Sequence, residues 1–274
     1  MEPARRCAMS NWLHNLPVAW MAVAVFGATF ALAGVTFALV DRFKSATAMG
    51  AFKAVTPGIL SPLGVLIGLF VAFTAAQVWT DTDKAHDAVN REASALRSAV
   101  ILAGVFGAST ERNLRGLIHG YITESIGQEW PAMAAGSATL TTSPATLNQA
   151  LRSTLALTPA NAGQEIAQRE IVAALERTLE ARRQRVLVSQ SQVDPTKWVC
   201  LALQAACAFL AIAIIHAHNR LASALTLATF AAGVAAAVLL ILANDRPFTG
   251  ELGVKPEPLL QVMPALEPEP AAEP

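Results

Sequence analysis

The side chains able to do chemistry are few in this chain, and their spacing limits what they can do. His216 and His218 are two residues apart. On a helix that spacing turns them about 200° away from each other, so a shared metal requires the helix to have ended there. Polar residues at a membrane–water boundary are the plainer reading. His86 and His119 stand alone and read as solvent-exposed or helix-packing residues. Cys200 and Cys207 lie seven apart, on one helical face within an apolar run, while Cys7 lies near the N-terminus. The pair is expected to be buried as small apolar groups, and no disulfide framework is expected. Asp41, Asp81 and Asp83 border apolar runs, where carboxylates meet water and lipid headgroups. There is no G-x-x-x-x-G-K-[ST] loop, no G-x-G-x-x-G after a strand, no G-x-S-x-G elbow and no H-E-x-x-H. The expectation is a protein with no catalytic residues, no metal site and no cofactor, and so not an enzyme.

The elements that carry these residues are mostly apolar helices. Of 274 residues, 54% are hydrophobic and 15% charged, against about 25% charged in soluble domains. The mean hydropathy of +0.44 agrees. The net charge of zero gives nucleic acid no electrostatic footprint. Val18 to Val40 carries no charge, and at about 1.5 Å per residue it crosses a ~30 Å hydrocarbon core. Arg5 and Arg6 precede it, but the run exceeds the roughly 7–15 residues of a signal-peptide core, and it reads as a retained span. Ile59 to Trp79 is the second span. Pro62 stands near its start, Gly64 and Gly68 are spaced to let another helix approach, and Trp79 suits an interfacial anchor. Lys197 to Ile215 and Leu221 to Ala243 are the third and fourth, joined by the polar turn His216 to Arg220. The fold class expected is all-α: a polytopic membrane protein with four transmembrane helices in two hairpins and a helical cytosolic domain inserted between the second and third.

That domain, residues 80–196, begins by continuing the second helix from Thr80 to Val105, with Val89, Ala93, Leu96 and Val100 on one stripe. Thr110 opens a segment whose Leu114, Leu117, Ile118, Tyr121 and Ile122 follow the i, i+3, i+4, i+7 rule. Pro131 is expected to end it, with a loop over Ala134 to Ser143. A further helix, roughly Asn161 to Ser191, carries Ile166, Val172, Leu175 and Leu179 against a charged face. The remaining divisions are an N-terminal tail over 1–17, hairpins over 18–79 and 197–243, and a turn motif over 244–255. The Pro/Glu-rich tail over 256–274 is expected to be largely disordered, with Leu259, Leu260, Val262 and Met263 as one short docking segment.

Four spans put both termini and residues 80–196 on one side. Near membrane ends that side has Arg5, Arg6, Lys84, Arg91, Arg182, Arg183, Arg185, Lys197, Arg246 and Lys255, against Arg42, Lys44, Lys53 and Arg220 on the other. The positive-inside rule places the richer side in the cytoplasm, and in a bacterial cell the membrane is the inner one.

Two segments resemble a known family. Ser61-Pro62-Leu63-Gly64 through Gly68 to Trp79 and on into Asp81 resembles the second transmembrane helix of bestrophins, with a Pro near the start, a Gly six residues later and a terminal Trp. After the fourth span, Asn244-Asp245-Arg246-Pro247-Phe248-Thr249-Gly250-Glu251 is similar to the Pro-Phe-Gly-Glu turn at the same place in bestrophins. The wider pattern is closer to the bacterial bestrophin-like family, a domain of unknown function. Its marks are Glu129-Trp130-Pro131-Ala132-Met133, Ala181-Arg182-Arg183, His216 with Asn219, and the turn motif followed by Val254, Pro256 and Pro258. The resemblance covers roughly residues 18–265.

It implies a homo-oligomer in the lipid bilayer, pentameric by analogy, passing small ions and by analogy anions. Carried over residue by residue, it puts Ser61, Val65 and Leu69 at the narrow neck of a pore, where rings of Val and Leu gate by dewetting. Positions four apart share a helical face, as this needs; the plain alternative is that they face lipid or other helices. The chain departs from bestrophins in lacking the acidic run after the turn. Asp245 and Glu251 alone are short of the six to eight oxygens Ca²⁺ takes. Asp245, Arg246, Pro247, Phe248, Gly250 and Glu251 read as a structural motif, with Arg246 paired to Asp245, Asp81 or Asp83. The competing reading is a non-conducting scaffold or sensor whose cytosolic helices bind a partner through an exposed face at Leu114 to Ile122. A carrier would need ionisable residues within the spans, and none is visible.

Overall fold

Long runs of Ala, Leu and Val, with proline confined to helix starts and loops, favour helix over strand. The computed structural model describes residues 16–43, 57–141 and 143–265; Arg5, Arg6, Cys7, Lys44, Lys53 and the tail from 266 lie outside them. The described residues are helical, with no strand among them. The helices are α1 (Val18–Arg42), α2 (Leu60–Ala103), α3 (Ala108–Glu124), α4 (Trp130–Ala134), α5 (Ala145–Leu155), α6 (Ala162–Ser189), α7 (Pro195–Ile215), α8 (Arg220–Asn244) and α9 (Glu257–Val262). A short 3-10 turn, Pro57–Ile59, leads into α2, and a π-helical turn, Ser125–Glu129, links α3 to α4. Four helices are long and apolar enough to cross a membrane: α1, α2 with its flanking turns, α7 and α8. Side-chain caps mark three starts. Asn161, Asp194 and Asn219 accept from the backbone N–H groups of Gln164, Thr196 and Ala222.

The chain divides into two units. One comprises Met1–Thr80, Gln192–Arg246 and Gly250–Leu252; the other comprises Asp81–Ser191, Pro247–Thr249 and Gly253–Pro274. Helix α2 contributes to both.

In the first, the membrane unit, α1 lies along α8 and against α7, and α7 packs on α8. Ala33 and Val40 of α1 meet Ala205, Phe209 and Ile212 of α7 and Leu227 and Ala231 of α8. Phe209 and Phe230 make an edge-to-face pair with centroids 5.7 Å apart. Helix α2 joins this group at its start and again over residues 71–78. Leu60 packs on the cluster just named, and Val71, Ala75 and Val78 pack on Val193, Trp198 and Ile241. Lys197 donates to the Gln77 side-chain oxygen beside the second contact.

Between those contacts the structure corrects one expectation. A side chain placed at Gly64 or Gly68 would meet nothing within 4 Å, and the same holds at Gly233 of α8. The glycines bring no helix close. Together with Gly233 they line a cavity of about 640 Å³ between α2, α7 and α8. The thiols differ from expectation too: Cys200 is half-buried and Cys207 exposed, because α7 turns its Leu201, Ala205 and Ala208 side inward instead.

The second unit has one continuous core. Ala85, Val89, Ala93, Leu96, Ala99 and Ala103 of α2 meet Leu114, Ile118, Tyr121 and Ile122 of α3, Leu147 and Ala150 of α5, and Ile171, Ala174 and Leu175 of α6. The α3 face expected as an exposed partner-binding surface is therefore buried, because the unit needs it to close its own core. Pro131 does not end α3. The helix widens into the π-helical turn, where the Trp130 N–H bonds the Ser125 carbonyl, and runs on through Pro131 into α4. Ile166 is exposed, and the packed side of α6 runs instead through Ala167, Ile171, Ala174, Thr178, Ala181 and Arg185. The first part of the tail, which holds the segment expected to dock, forms α9 and buries Leu259 in this core. His119 Nδ1 lies 3.0 Å from the Pro264 carbonyl.

Candidate functional site

Polar residues are concentrated in the core of the second unit. Thr178, Arg182, Arg185 and Ser189 follow helical spacing on the packed side of α6, so α6 must carry two guanidinium groups inward. Glu92 stands on the buried stripe of α2, three residues from Val89 and four from Leu96. The π-helical turn adds one residue to the helical circuit and brings both Ser125 and Glu129 to face α6.

Arg185, fully buried, is the hub. Its Nε donates to Glu92 Oε2 at 2.7 Å, and its Nη2 reaches Glu92 Oε1 at 3.1 Å, Ser125 Oγ at 2.7 Å and Glu129 Oε2 at 2.9 Å. Nη1 lies 3.5 Å from Met133 Sδ, and Cζ stands 4.7 Å from the Trp130 ring centroid. Arg182 Nε donates to Glu129 Oε1 at 2.7 Å, and the Tyr121 hydroxyl donates to Glu92 Oε1 at 2.5 Å. Two carboxylates and two guanidinium groups balance, and each charge has a charged partner.

Burial would lower the Arg185 pKa, but the charge and hydrogen bond of Glu92, with the charge of Glu129 and the neighbouring Tyr121, together outweigh it and raise it, so the group stays a cation. Burial, with the Glu92 charge beside it, pushes the Tyr121 phenol well above its usual value, so it stays a donor. Burial alone would raise the Glu129 carboxyl. The hydrogen bond from Arg182 and the charge of Arg185 outweigh it and hold Glu129 below the usual carboxylate range. No reacting position is left open in this cluster: its chemistry is cohesion.

The turn after α8 packs on the same region. Phe248 meets Trp130 edge-to-face at 5.8 Å, Trp130 Nε1 donates to the Val254 carbonyl at 3.2 Å, and Thr249 Oγ1 donates to the Ala134 carbonyl at 2.9 Å. The turn closes with Val254 N–H on the Pro247 carbonyl at 2.7 Å. Gly250 has φ +78°, and a side chain at Gly253 would come within 3.0 Å of the Phe248 backbone, so the two glycines serve different needs. Asp245 accepts from the Val193 N–H at 2.6 Å and Glu251 from the Val18 N–H at 3.3 Å. Arg246 donates to the Gln192 side chain at 3.2 Å.

The residues assigned to a neck lie in the membrane unit. Ser61, Val65 and Leu69 are all exposed, Val65 by 65% and Leu69 by 52%, and none of the other described helices covers them. His216 Nδ1 lies 3.0 Å from its own helix at the Ile212 carbonyl, and Asn219 caps α8. Asp41 meets Arg220 at 2.5 Å. Among the described residues, no three His, Cys, Asp or Glu are grouped to hold a metal.

Reading the sequence found Glu129 and Trp130 only as family marks and Arg182 as a family mark and a charge near a membrane end, and it missed Glu92 and the role of Arg185. The available signal was a charged residue at a core register: Glu92 within an apolar stripe and Arg185 seven residues after Thr178.

Four membrane-length apolar helices joined to a separate helical unit define an α-helical polytopic membrane protein. The family model of the Bestrophin-like domain matches residues 27–259, and the chain belongs to that family. Comparison with curated proteins and with solved structures returned no match.

Proposed function

We propose that the chain is one subunit of a symmetric homo-oligomer, a pentamer by analogy with bestrophins, that conducts small ions across the membrane and is not an enzyme. The observation that carries this reading is the uncovered face of α2 with Ser61, Val65 and Leu69 in line. A ring of copies with that face inward has a narrow apolar neck, and Val and Leu rings of that kind gate by dewetting. Family membership supports the same arrangement, with anions as the ions by analogy. Charge distribution supports termini and residues 80–196 in the cytoplasm and a bacterial inner (plasma) membrane as the site.

The test is reconstitution of the purified chain into liposomes, after its oligomeric mass is measured, with ion flux recorded for wild type and Leu69→Ala. A ring-sized oligomer with flux altered by the wider neck is expected. A monomer or dimer with no flux of any anion or cation would end the channel reading. The scaffold reading loses its named surface, since the Leu114–Ile122 face lies in the core of its own unit.

A further inference from the structure

We infer that the cavity between α2, α7 and α8 is a binding site for one acyl chain of a membrane lipid. The site is bounded by helices that the sequence makes apolar: Leu63, Gly64 and Gly68 on one side, Ala208 on another, and Phe230 and Gly233 on the third. No ionisable side chain lines it. Its two hydroxyls already have partners, Thr226 donating to the Ala222 carbonyl at 2.8 Å and Thr229 to the Leu225 carbonyl at 2.9 Å. The charge complementarity is that of hydrocarbon. An occupant needs no hydrogen-bonding group and would lose by having one.

Dimensions choose among apolar occupants. The wall of α8 runs from Thr226 to Val238, which at 1.5 Å per residue is about 18 Å; that of α2, from Leu60 to Val71, is about 16 Å. One leaflet is half of a ~30 Å hydrocarbon core, about 15 Å. The cavity is therefore as long as an acyl chain of one leaflet. A volume of about 640 Å³ over that length leaves a mean cross-section of about 35 Å². A helix at least ~10 Å across fills roughly 80 Å², so a helix from a second copy is too wide to enter. The space is half open to its surroundings, so an acyl chain of the bilayer can reach it without passing through the helices. The three glycines are what make the room, since a side chain at any of them would project into open space.

The test uses the full chain reconstituted in bilayers of phosphatidylcholine bearing a diazirine midway along one acyl chain, with photolabelled peptides mapped by mass spectrometry. Label on the cavity walls should exceed label on the exposed Val199, Leu203 and Leu225 several-fold. In Gly68→Leu/Gly233→Leu, with folding checked by circular dichroism and size exclusion, the cavity label should fall at least fivefold while the outward label holds. Gly68→Val serves as a milder filling variant if the double variant misfolds, with a partial fall expected. Equal label inside and outside, or cavity label unchanged by filling, would overturn the site. So would a disulfide between Gly233→Cys residues of two copies, which would give the groove to a second copy instead.

Discussion

The two units solve opposite problems with the same secondary structure. The helical unit buries one continuous core and runs an ion network through it, with Arg185 wholly enclosed. The membrane unit divides its apolar contacts among three small clusters, leaves a cavity between helices, and satisfies Thr29, Thr36, Thr74, Thr226 and Thr229 on their own helix backbones. The contrast follows from the solvent. In water an uncovered apolar face is costly, so the α3 and α9 faces must be closed over. In lipid the surroundings are as apolar as leucine, and helices gain little by excluding them. Buried charge follows the same division: the helical unit surrounds its ions with partners, while the membrane unit keeps the Arg220–Asp41 pair at helix ends.

Removing the hub should separate the units most sharply. Arg185→Met leaves Glu92 buried with only Tyr121 beside it, and breaking a buried pair costs about 3–5 kcal/mol. Chemical unfolding should show loss of the helical unit at lower denaturant while the membrane helices keep their helical signal. Arg185→Lys should rescue little, because one ammonium cannot reproduce the fork onto Glu92, Ser125 and Glu129. An unchanged midpoint for Arg185→Met would mean the network contributes nothing to cohesion.

Acid gives a milder form of the same perturbation. Glu129 is held below its usual range in the folded chain, so its contribution is complete above the unfolded carboxyl value, about 4.3. The contribution is lost as pH falls from there through the lower folded value. Trp130, on the Arg185 guanidinium, reports on this cluster. Its emission should hold from neutral pH down to about 5 and change below about 4. A midpoint near neutrality would contradict the depressed Glu129.

Much of the architecture could be read from residue periodicity. Charge-free runs gave the four membrane-length helices, and Val89, Ala93 and Leu96 gave the continuation of α2. Asn161 gave the start of α6. What could not be read is where periodicity is local but the outcome is not. The α3 stripe predicts one apolar face without saying what covers it. Pro131 signals a stop unless the π-helical turn before it is known. Gly64 and Gly68 look alike whether a helix approaches them or stands away, and the answer depends on where α7 and α8, far along the chain, are placed. Within the ion network, Glu92 and Arg185 lie 93 residues apart, and no short motif joins them.

The turn after α8 tests how tightly the helical unit is fitted. Gly253→Ala places a methyl about 3 Å from the Phe248 and Thr249 backbone, which has no flexible end to move aside. Overpacking of this kind costs about 1–3 kcal/mol, less than losing the hub. A lower thermal midpoint is expected, along with weaker contact between Phe248 and Trp130, visible in the tryptophan emission. A midpoint equal to wild type would show that the turn is looser than its hydrogen bonds imply.

The smallest effect belongs to the membrane unit, and it completes the contrast. Gly68→Ala adds a methyl of similar size, but nothing lies within 4 Å to receive it. Alanine also favours helix over glycine by about 0.8–1.0 kcal/mol in water, a gain that lipid reduces because backbone bonds are already obligatory there. The net change should fall within about 0.5 kcal/mol of zero and lean toward stability. Thermal unfolding in detergent would measure it. A loss as large as that at Gly253 would mean that a neighbour closes on Gly68 in the assembled protein, and the two units would then be packed by one rule instead of two.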